Sequence, residues 1–255
     1  MVVLLIILLL TVSSCSMTVS DVTSQPEETV LSGIIKDNMI LQGRIVIEKD
    51  TLIKKDVTVT IKEGSEILVP KADISRTEPI FLMPETEIVV EGTLVIDGTE
   101  NMPVNIKSQD RLEQWGGIIV NGGTIKAKNF NISDAYNGLI VLNGSAKIKK
   151  ARFTNNKISI VIEKGDADLE DLVVVSSEVG IINNNPKLSL ERVRVENNEE
   201  GVLLKNCPET VKDLIVTRNL IGVISPVSCI NHNFLSIKNY ENKNNLIITN
   251  LSSLP

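Results

Sequence analysis

Stepping by 21 residues from Gly117 lands on Gly138, Ser159, Gly180, Gly201 and Gly222. The residues that follow repeat in step: Ile118, Leu139, Ile160, Ile181, Val202 and Val223. A second column reads Phe130, Ala151, Leu172, Val193, Leu214, Leu235, and a third reads Ile132, Phe153, Val174, Val195, Val216, Ile237. A fourth is weaker: Ile125, Ala146, Ala167, Leu188, Glu209, Ile230. A fixed period of this length means that each unit packs only on its neighbours and buries its apolar face against them. The chain is therefore a repeat array.

Each period holds three short apolar runs. In consecutive periods they read Leu188–Leu190, Val193–Val195 and Gly201-Val202-Leu203-Leu204. Turn residues separate them, as in Asn183-Asn184-Asn185-Pro186 and Asn197-Asn198-Glu199-Glu200. No window carries a useful helical period. Aromatic residues are only 3% of the chain, so its apolar content is mostly Ile, Val and Leu, and β-branched side chains favour strands. The expected fold is all-β: a right-handed parallel β-helix of 21-residue coils with three short strands per coil, like residues stacking about 4.8 Å apart. A leucine-rich repeat fits the spacing Leu190-x-x-Val193-x-Val195-x-x-Asn198. Such a repeat needs a helical segment where this chain has Gly, three aliphatics and an Asn/Pro turn, so the β-helix is preferred.

Earlier segments are less regular versions of the same pattern: Ile45–Ile47, Val57–Ile61, Ile67–Val69, Ile88–Val90 and Leu94–Ile96. Val57 to Gly64, Val90-Glu91-Gly92-Thr93-Leu94, Pro103-Val104-Asn105-Ile106 and Trp115-Gly116-Gly117-Ile118 together resemble right-handed parallel β-helix repeat proteins of the pectin-lyase-like superfamily. The resemblance covers about residues 34 to 250. It implies a fold and leaves function open, since one fold hosts many activities.

The N-terminus points to export. Val2–Leu10 is an unbroken aliphatic run, too short to span a bilayer but suited to a signal peptide. Val12-Ser13-Ser14-Cys15 then resembles a lipobox, although no Lys or Arg precedes the apolar run. The resemblance implies cleavage before Cys15, its lipidation and a membrane anchor, with Ser16 implying outer-membrane sorting. The expected organisation is a signal peptide over 1–14, a lipidated Cys and tether over 15–33, and the solenoid over 34–255.

Several side chains are candidates for function. Cys207 and Cys229 lie one coil plus one residue apart, roughly 6 Å between Cα atoms, within disulfide reach. Two free buried thiols are the alternative. Lys126, Lys128, Lys147, Lys149, Lys150 and Arg152 cluster with few local acids, and the first four are expected to point outward from one sheet. Such a patch suits an acidic polysaccharide, a lipid headgroup or an anionic partner. Ile119, Ile140, Val161, Ile182, Leu203 and Ile224 form an aliphatic column about 24 Å long. If Ile118 and Val120 face inward, that column faces outward and needs a cover: the tether, a C-terminal tail or a second copy. The opposite register exposes a different aliphatic column.

Chemistry is harder to find. Glu170 and Asp171 resemble a catalytic pair, but Lys150, Asp171, Arg192 and Asp213 recur with alternating sign, as do Lys149, Glu170, Glu191 and Lys212. That pattern is a solvated charge ladder whose pairs are each worth little. His232, the only histidine, falls in a mostly apolar column, and no zinc-ligand set, phosphate loop or nucleophile elbow is present. No cofactor or metal is expected. A net charge of −6 and a pI of about 5.1 argue against nucleic acid. The leading expectation is a non-catalytic envelope lipoprotein that binds a glycan or a protein. A polysaccharide lyase or hydrolase is the first alternative; it requires carboxylates in sets that this chain does not assemble. A structural protein that self-associates through the stripe is the second.

Overall fold

The computed structural model describes residues 28–70, 84–110, 113–229 and 237–249. The chain forms a right-handed parallel β-solenoid of about nine turns. Three parallel sheets run along its axis, and each coil visits them in order. The first sheet stacks the ends of β1 (Thr29–Ile35) and β3 (Arg44–Ile53) under β6 (Glu87–Val90) and the start of β9 (Trp115–Ser133). It continues through the start of β10 (Ala135–Thr154), then β11 (Ile158–Ile162), β13 (Val179–Asn183), β15 (Glu200–Leu204), β18 (Ile221–Pro226) and β20 (Asn244–Thr249).

The second sheet begins with β2 (Met39–Leu41), β4 (Thr58–Lys62) and β7 (Thr93–Asp97). It then takes the middles of β9 and β10, the first halves of β12 (Asp166–Val175) and β14 (Leu188–Glu196), and β16 (Thr210–Lys212). The third sheet holds the starts of β1 and β3, β5 (Glu66–Val69), β8 (Val104–Ser108), the ends of β9, β10, β12 and β14, β17 (Leu214–Thr217) and β19 (Ile237–Tyr240).

Alternate residues of the strands from β1 to β18 enter one continuous core, as the period of two requires. Ile118, Leu139, Ile160, Ile181, Val202 and Val223 stack there with almost no exposure. Phe130 and Phe153 meet edge to face at 6.0 Å.

Two corners of each regular coil rest on single residues in the left-handed conformation. Between the second and third sheets these are Asn129, Lys150, Asp171, Arg192 and Asp213, with φ from 48° to 57°. Between the third and first sheets they are Asp134, Asn155, Ser176, Asn197, Arg218 and Glu241. One such residue turns the chain sharply without breaking the strands on either side. Asn and Asp tolerate it well, whereas Lys and Arg bear a cost of about 1 kcal/mol.

After Asp134 the next residue is the buried Ala135; at the other five corners it is polar: Asn156, Ser177, Asn198 and Asn219, all buried, and the half-buried Asn242. The Asn198 side-chain oxygen accepts from the Ser177 backbone N–H at 2.9 Å, Asn219 from Asn198 at 2.9 Å, and Asn242 from Asn219 at 2.8 Å. The amide Nδ2 of Asn219 donates to the Val195 carbonyl at 3.1 Å. This buried ladder satisfies backbone groups that the corner takes away from the sheets. Beside it, a Cβ on Gly201 would lie 2.5 Å from the Gly222 carbonyl oxygen, which explains the glycine column.

Two expectations need correction. The solenoid already includes β1, Thr29–Ile35, ahead of the boundary at residue 34, because Thr29, Val30 and Leu31 pair with Ile45, Val46 and Ile47. The 21-residue step also fails in the last coil. Leu214 pairs with Ile237 and Val216 with Asn239, a step of 23. Leu235 and Ile237 therefore do not extend the columns assigned to them, because a helical turn at 227–229 opens extra chain between β18 and β19. Glu209, in the weak fourth column, is exposed.

Neighbouring asparagines should respond oppositely to substitution. Asn198→Ala removes a buried acceptor and should lower unfolding stability by about 2–3 kcal/mol. Asn197→Gly, at φ 55° on the surface, should change it by under about 0.5 kcal/mol. Urea unfolding followed by circular dichroism checks both; equal losses would remove the ladder's assigned role.

Candidate functional site

The six basic residues are all exposed but do not share one face. Lys126, Lys128, Lys147 and Lys149 point outward from two adjacent coils of the second sheet. Lys150 sits at the left-handed corner, and Arg152 lies on the third sheet. Lys128 is held by Asp97 at 3.0 Å, and Lys149 by Glu170 at 2.8 Å. Lys150 pairs with Glu100. Lys126 and Lys147 are direct cross-strand neighbours, and neither has an ion-pair partner among the described residues. Thr124 and Ser145 flank them on the same face, with hydroxyls 3.1 Å apart. The next coil turns acidic: Asp166, Asp168 and Glu170 face outward there.

Several carboxylates of this region are engaged. Hydrogen bonds from Lys128 and then Lys62 hold Asp97 below the usual carboxylate range. Lys149 does the same for Glu170. Arg192 does it for Asp171, donating Nε to Oδ1 at 2.5 Å, and also contacts Glu170 and Glu191. Glu191 lies 3.8 Å from Lys212. Glu170 and Asp171 thus form part of a cross-coil ion network on the surface.

The aliphatic column faces outward. Ile118 and Val120 lie in the main core, while Val89, Ile119, Ile140 and Val161 form a second apolar cluster on the other side of the first sheet. Ile182, Leu203 and Ile224 continue it and are half-buried.

Cys207 and Cys229 are joined as a disulfide, with Cα atoms 5.0 Å apart. It ties the loop before β16 to the helical turn after β18. Trp115 is buried and donates Nε1 to the Ser133 carbonyl at 2.8 Å, so its indole serves packing. Cys15 and His232 lie outside the described residues. Among the described residues no helix is long and apolar enough to cross a membrane, and no group of His, Cys, Asp and Glu is arranged to hold a metal ion.

One surface feature escaped the sequence reading. A polar groove of about 560 Å³ follows the third-to-first corner, lined by Asn155, Lys157, Ser176, Glu178, Asn197 and Arg218 among others. Lys157 stacks 4.2 Å over the Tyr136 ring and donates to its hydroxyl at 2.8 Å. The 21-residue recurrence of polar pairs such as Asn155-Asn156, Ser176-Ser177 and Asn197-Asn198 was the available signal.

No protein family, curated protein or solved structure matches this chain. Function must therefore be argued from the faces of the solenoid.

The disulfide closes a loop across a sequence separation of 22. The double variant Cys207→Ser/Cys229→Ser should lose about 3 kcal/mol of unfolding stability. It should also exchange the amide hydrogens of β19 and β20 faster than those of β11. Uniform acceleration along the solenoid would show that the bridge does not act as a local staple.

Proposed function

We propose that this protein is an exported, lipid-anchored β-solenoid that works by binding and not by catalysis. Its binding face is the outer surface of the second sheet, and its ligand is an acidic polysaccharide of the cell envelope. The observation that carries this reading is the stacked pair Lys126 and Lys147. Two ammonium groups one coil apart, with no carboxylate between them, repel by about 1 kcal/mol in a water-like medium. Lys128 and Lys149 continue the basic surface in the same two coils. A chain of sulfates or carboxylates laid over these coils would relieve the repulsion and accept hydrogen bonds from Thr124 and Ser145.

The lipobox-like Val12-Ser13-Ser14-Cys15 supports placement in the envelope, with outer-membrane sorting as the finer reading. The glycine-rich motifs around Trp115 and Gly92 support kinship with the pectin-lyase-like superfamily. Engagement of Glu170 and Asp171 by Lys149 and Arg192 speaks against a hydrolase centre on this face.

Mixing the protein with acidic and neutral polysaccharides and reading retention and chain shortening together tests the reading. Retention of the acidic polymers without shortening is expected. Lys126→Ala/Lys147→Ala should weaken it about tenfold at low salt. Shortening would overturn the non-catalytic reading, and unchanged retention in the variant would remove the lysine face.

Acid adds a second test. Asp97 and Glu170, whose affinities for protons are depressed, stay ionised through the ordinary carboxylate range and neutralise only below it. Their protonation frees Lys128 and Lys149. Retention of a sulfated polymer, which keeps its charge, should therefore strengthen as pH falls below the ordinary carboxylate range while circular dichroism shows the fold intact. A flat profile would mean that those pairs do not limit binding. Membrane attachment is checked separately: Cys15→Ser should move the protein from the membrane to the soluble fraction, and persistence in the membrane would exclude lipid anchoring.

A further inference from the structure

On the outer face of the second sheet, Thr124, Lys126, Ser145 and Lys147 make a two-by-two array. Thr124 pairs with Ser145 and Lys126 with Lys147, each as direct neighbours one coil apart. The two hydroxyls lie 3.1 Å from each other, and either can be the donor. One hydroxyl proton bridges the pair, which leaves the other free to donate outward. Both lysine side chains are exposed, and neither ammonium group has an ion-pair partner among the described residues. The array therefore offers three donor groups, two of them charged.

The surroundings limit what can sit there. The preceding coil puts Val95 beside Lys126, and the following coil puts Asp168 beside Lys147. Asp166 and Glu170 of that following coil face the same way. A long polyanion with single charges spread evenly along it has to cross these acids. A compact group with its charge concentrated over one coil step avoids them. Access is free at the corner before the array, where a Cβ on Gly122 would meet nothing within 4 Å.

We propose that this array is a subsite for a phosphate monoester carried by the polysaccharide, which rests on the lysine face being the binding face. Such a group has three terminal oxygens, one for each donor, and a charge of about −1.5 to −2 at pH 7. It neutralises both ammonium groups at once. Two charge-assisted hydrogen bonds of about 2.8 Å to neighbouring phosphoryl oxygens bridge a coil step of about 4.8 Å. The third oxygen accepts from the free hydroxyl. Two residues along a strand are about 6.6 Å, a distance that an extended lysine side chain covers. A carboxylate or a sulfate ester brings a single charge and leaves one ammonium group uncompensated. Lys128 and Lys149 compete little for the group, since Asp97 and Glu170 hold them.

The subsite has an acid response of its own. The second ionisation of a phosphate monoester lies near pH 6, so the dianion of about pH 7 is mostly monoanion at about pH 5. The charged groups facing the array are Lys128 and Lys149 on its own coils, Asp97 on the coil before, and Asp166, Asp168 and Glu170 on the coil after. Free carboxyl and ammonium groups change charge outside that window. Affinity for a phosphorylated polymer should fall about tenfold between these two pH values, while affinity for a sulfated one stays level.

Dextrans matched in length and degree of substitution, bearing phosphate, sulfate or carboxymethyl groups, provide the test. At about pH 7 and low salt the phosphorylated dextran should be retained about fivefold more tightly than the other two. Lys126→Gln/Lys147→Gln should abolish that preference and Thr124→Val/Ser145→Ala should reduce it, with circular dichroism confirming each fold. Lys212→Gln, on β16 of the same sheet, should leave it intact. Equal retention of the phosphorylated and sulfated dextrans would overturn the subsite while leaving the acidic-polymer reading in place. So would a preference that survives the lysine double variant, or a level profile for the phosphorylated dextran between about pH 5 and 7. If no acidic dextran is retained, the binding face itself fails, and phosphorus NMR of glycerol phosphate decides the subsite. Line broadening that the lysine double variant removes supports it, and an unbroadened line overturns it. Capture of phosphatidic acid vesicles in preference to phosphorylated dextran would overturn the assignment to a polysaccharide.

Discussion

Everything in this protein depends on coils stacking at one backbone hydrogen-bond spacing. A strand's N–H and C=O groups are satisfied only by the coils above and below, so each coil must match its neighbours in length and in the positions of its corners. The corners are where this is hardest. There the chain leaves the sheets, and a left-handed residue followed by a buried Asn or Ser does the turning and replaces the lost backbone partners. Val174, Val195 and Val216 stack beside that ladder, so the apolar core and the polar column fix the same register. A slip of one residue would bury Asn197 in place of Asn198 and turn every strand inside out.

With the register fixed, the outside divides into three faces of different character. The second sheet shows charge in bands: lysines over two coils, then acids, then a mixture. Cross-coil pairs tie many of these charges together, whereas Lys126 and Lys147, which lie side by side, have no ion-pair partner among the described residues. The third-to-first corner is a polar groove. The first sheet is apolar outside as well as inside, and it is there that the chain departs most from its regular period, with the long excursion before β6. Chemistry on a solenoid is therefore a matter of which column a residue falls in, since the coil repeat turns every outward position into a row. Rows suit long ligands and long contacts better than a compact catalytic centre.

Much of the fold was legible in the residues. The columns through Ile118, Phe130 and Ile132 identify inward positions because the period is uniform from Gly117 to Gly222 and the glycines have a steric cause. The failure at Leu235 has an equally plain cause: a period cannot announce where it ends, and two extra residues around a helical turn leave the local pattern apolar and plausible. The start at Thr29 was missed for a similar reason, since three residues of alternation carry little signal. Asn198 and Asn219 read as turn residues. Their burial was invisible because a surface turn and an internal ladder use the same amino acid.

The sequence by itself determined the repeat, the three-strand coil, the axial stacking and which residues share a column, because those follow from side-chain period and length alone. Only the tertiary structure decided which way each column faces and what each side chain meets. Ile118 and Ile119 are the same residue type, yet one lies in the core and the other outside it. Four lysines look alike in the chain, yet Lys128 and Lys149 are paired while Lys126 and Lys147 have no ion-pair partner among the described residues. The physical reason is that pairing and burial depend on atoms one coil away and across corners, at distances that sequence spacing constrains without orienting.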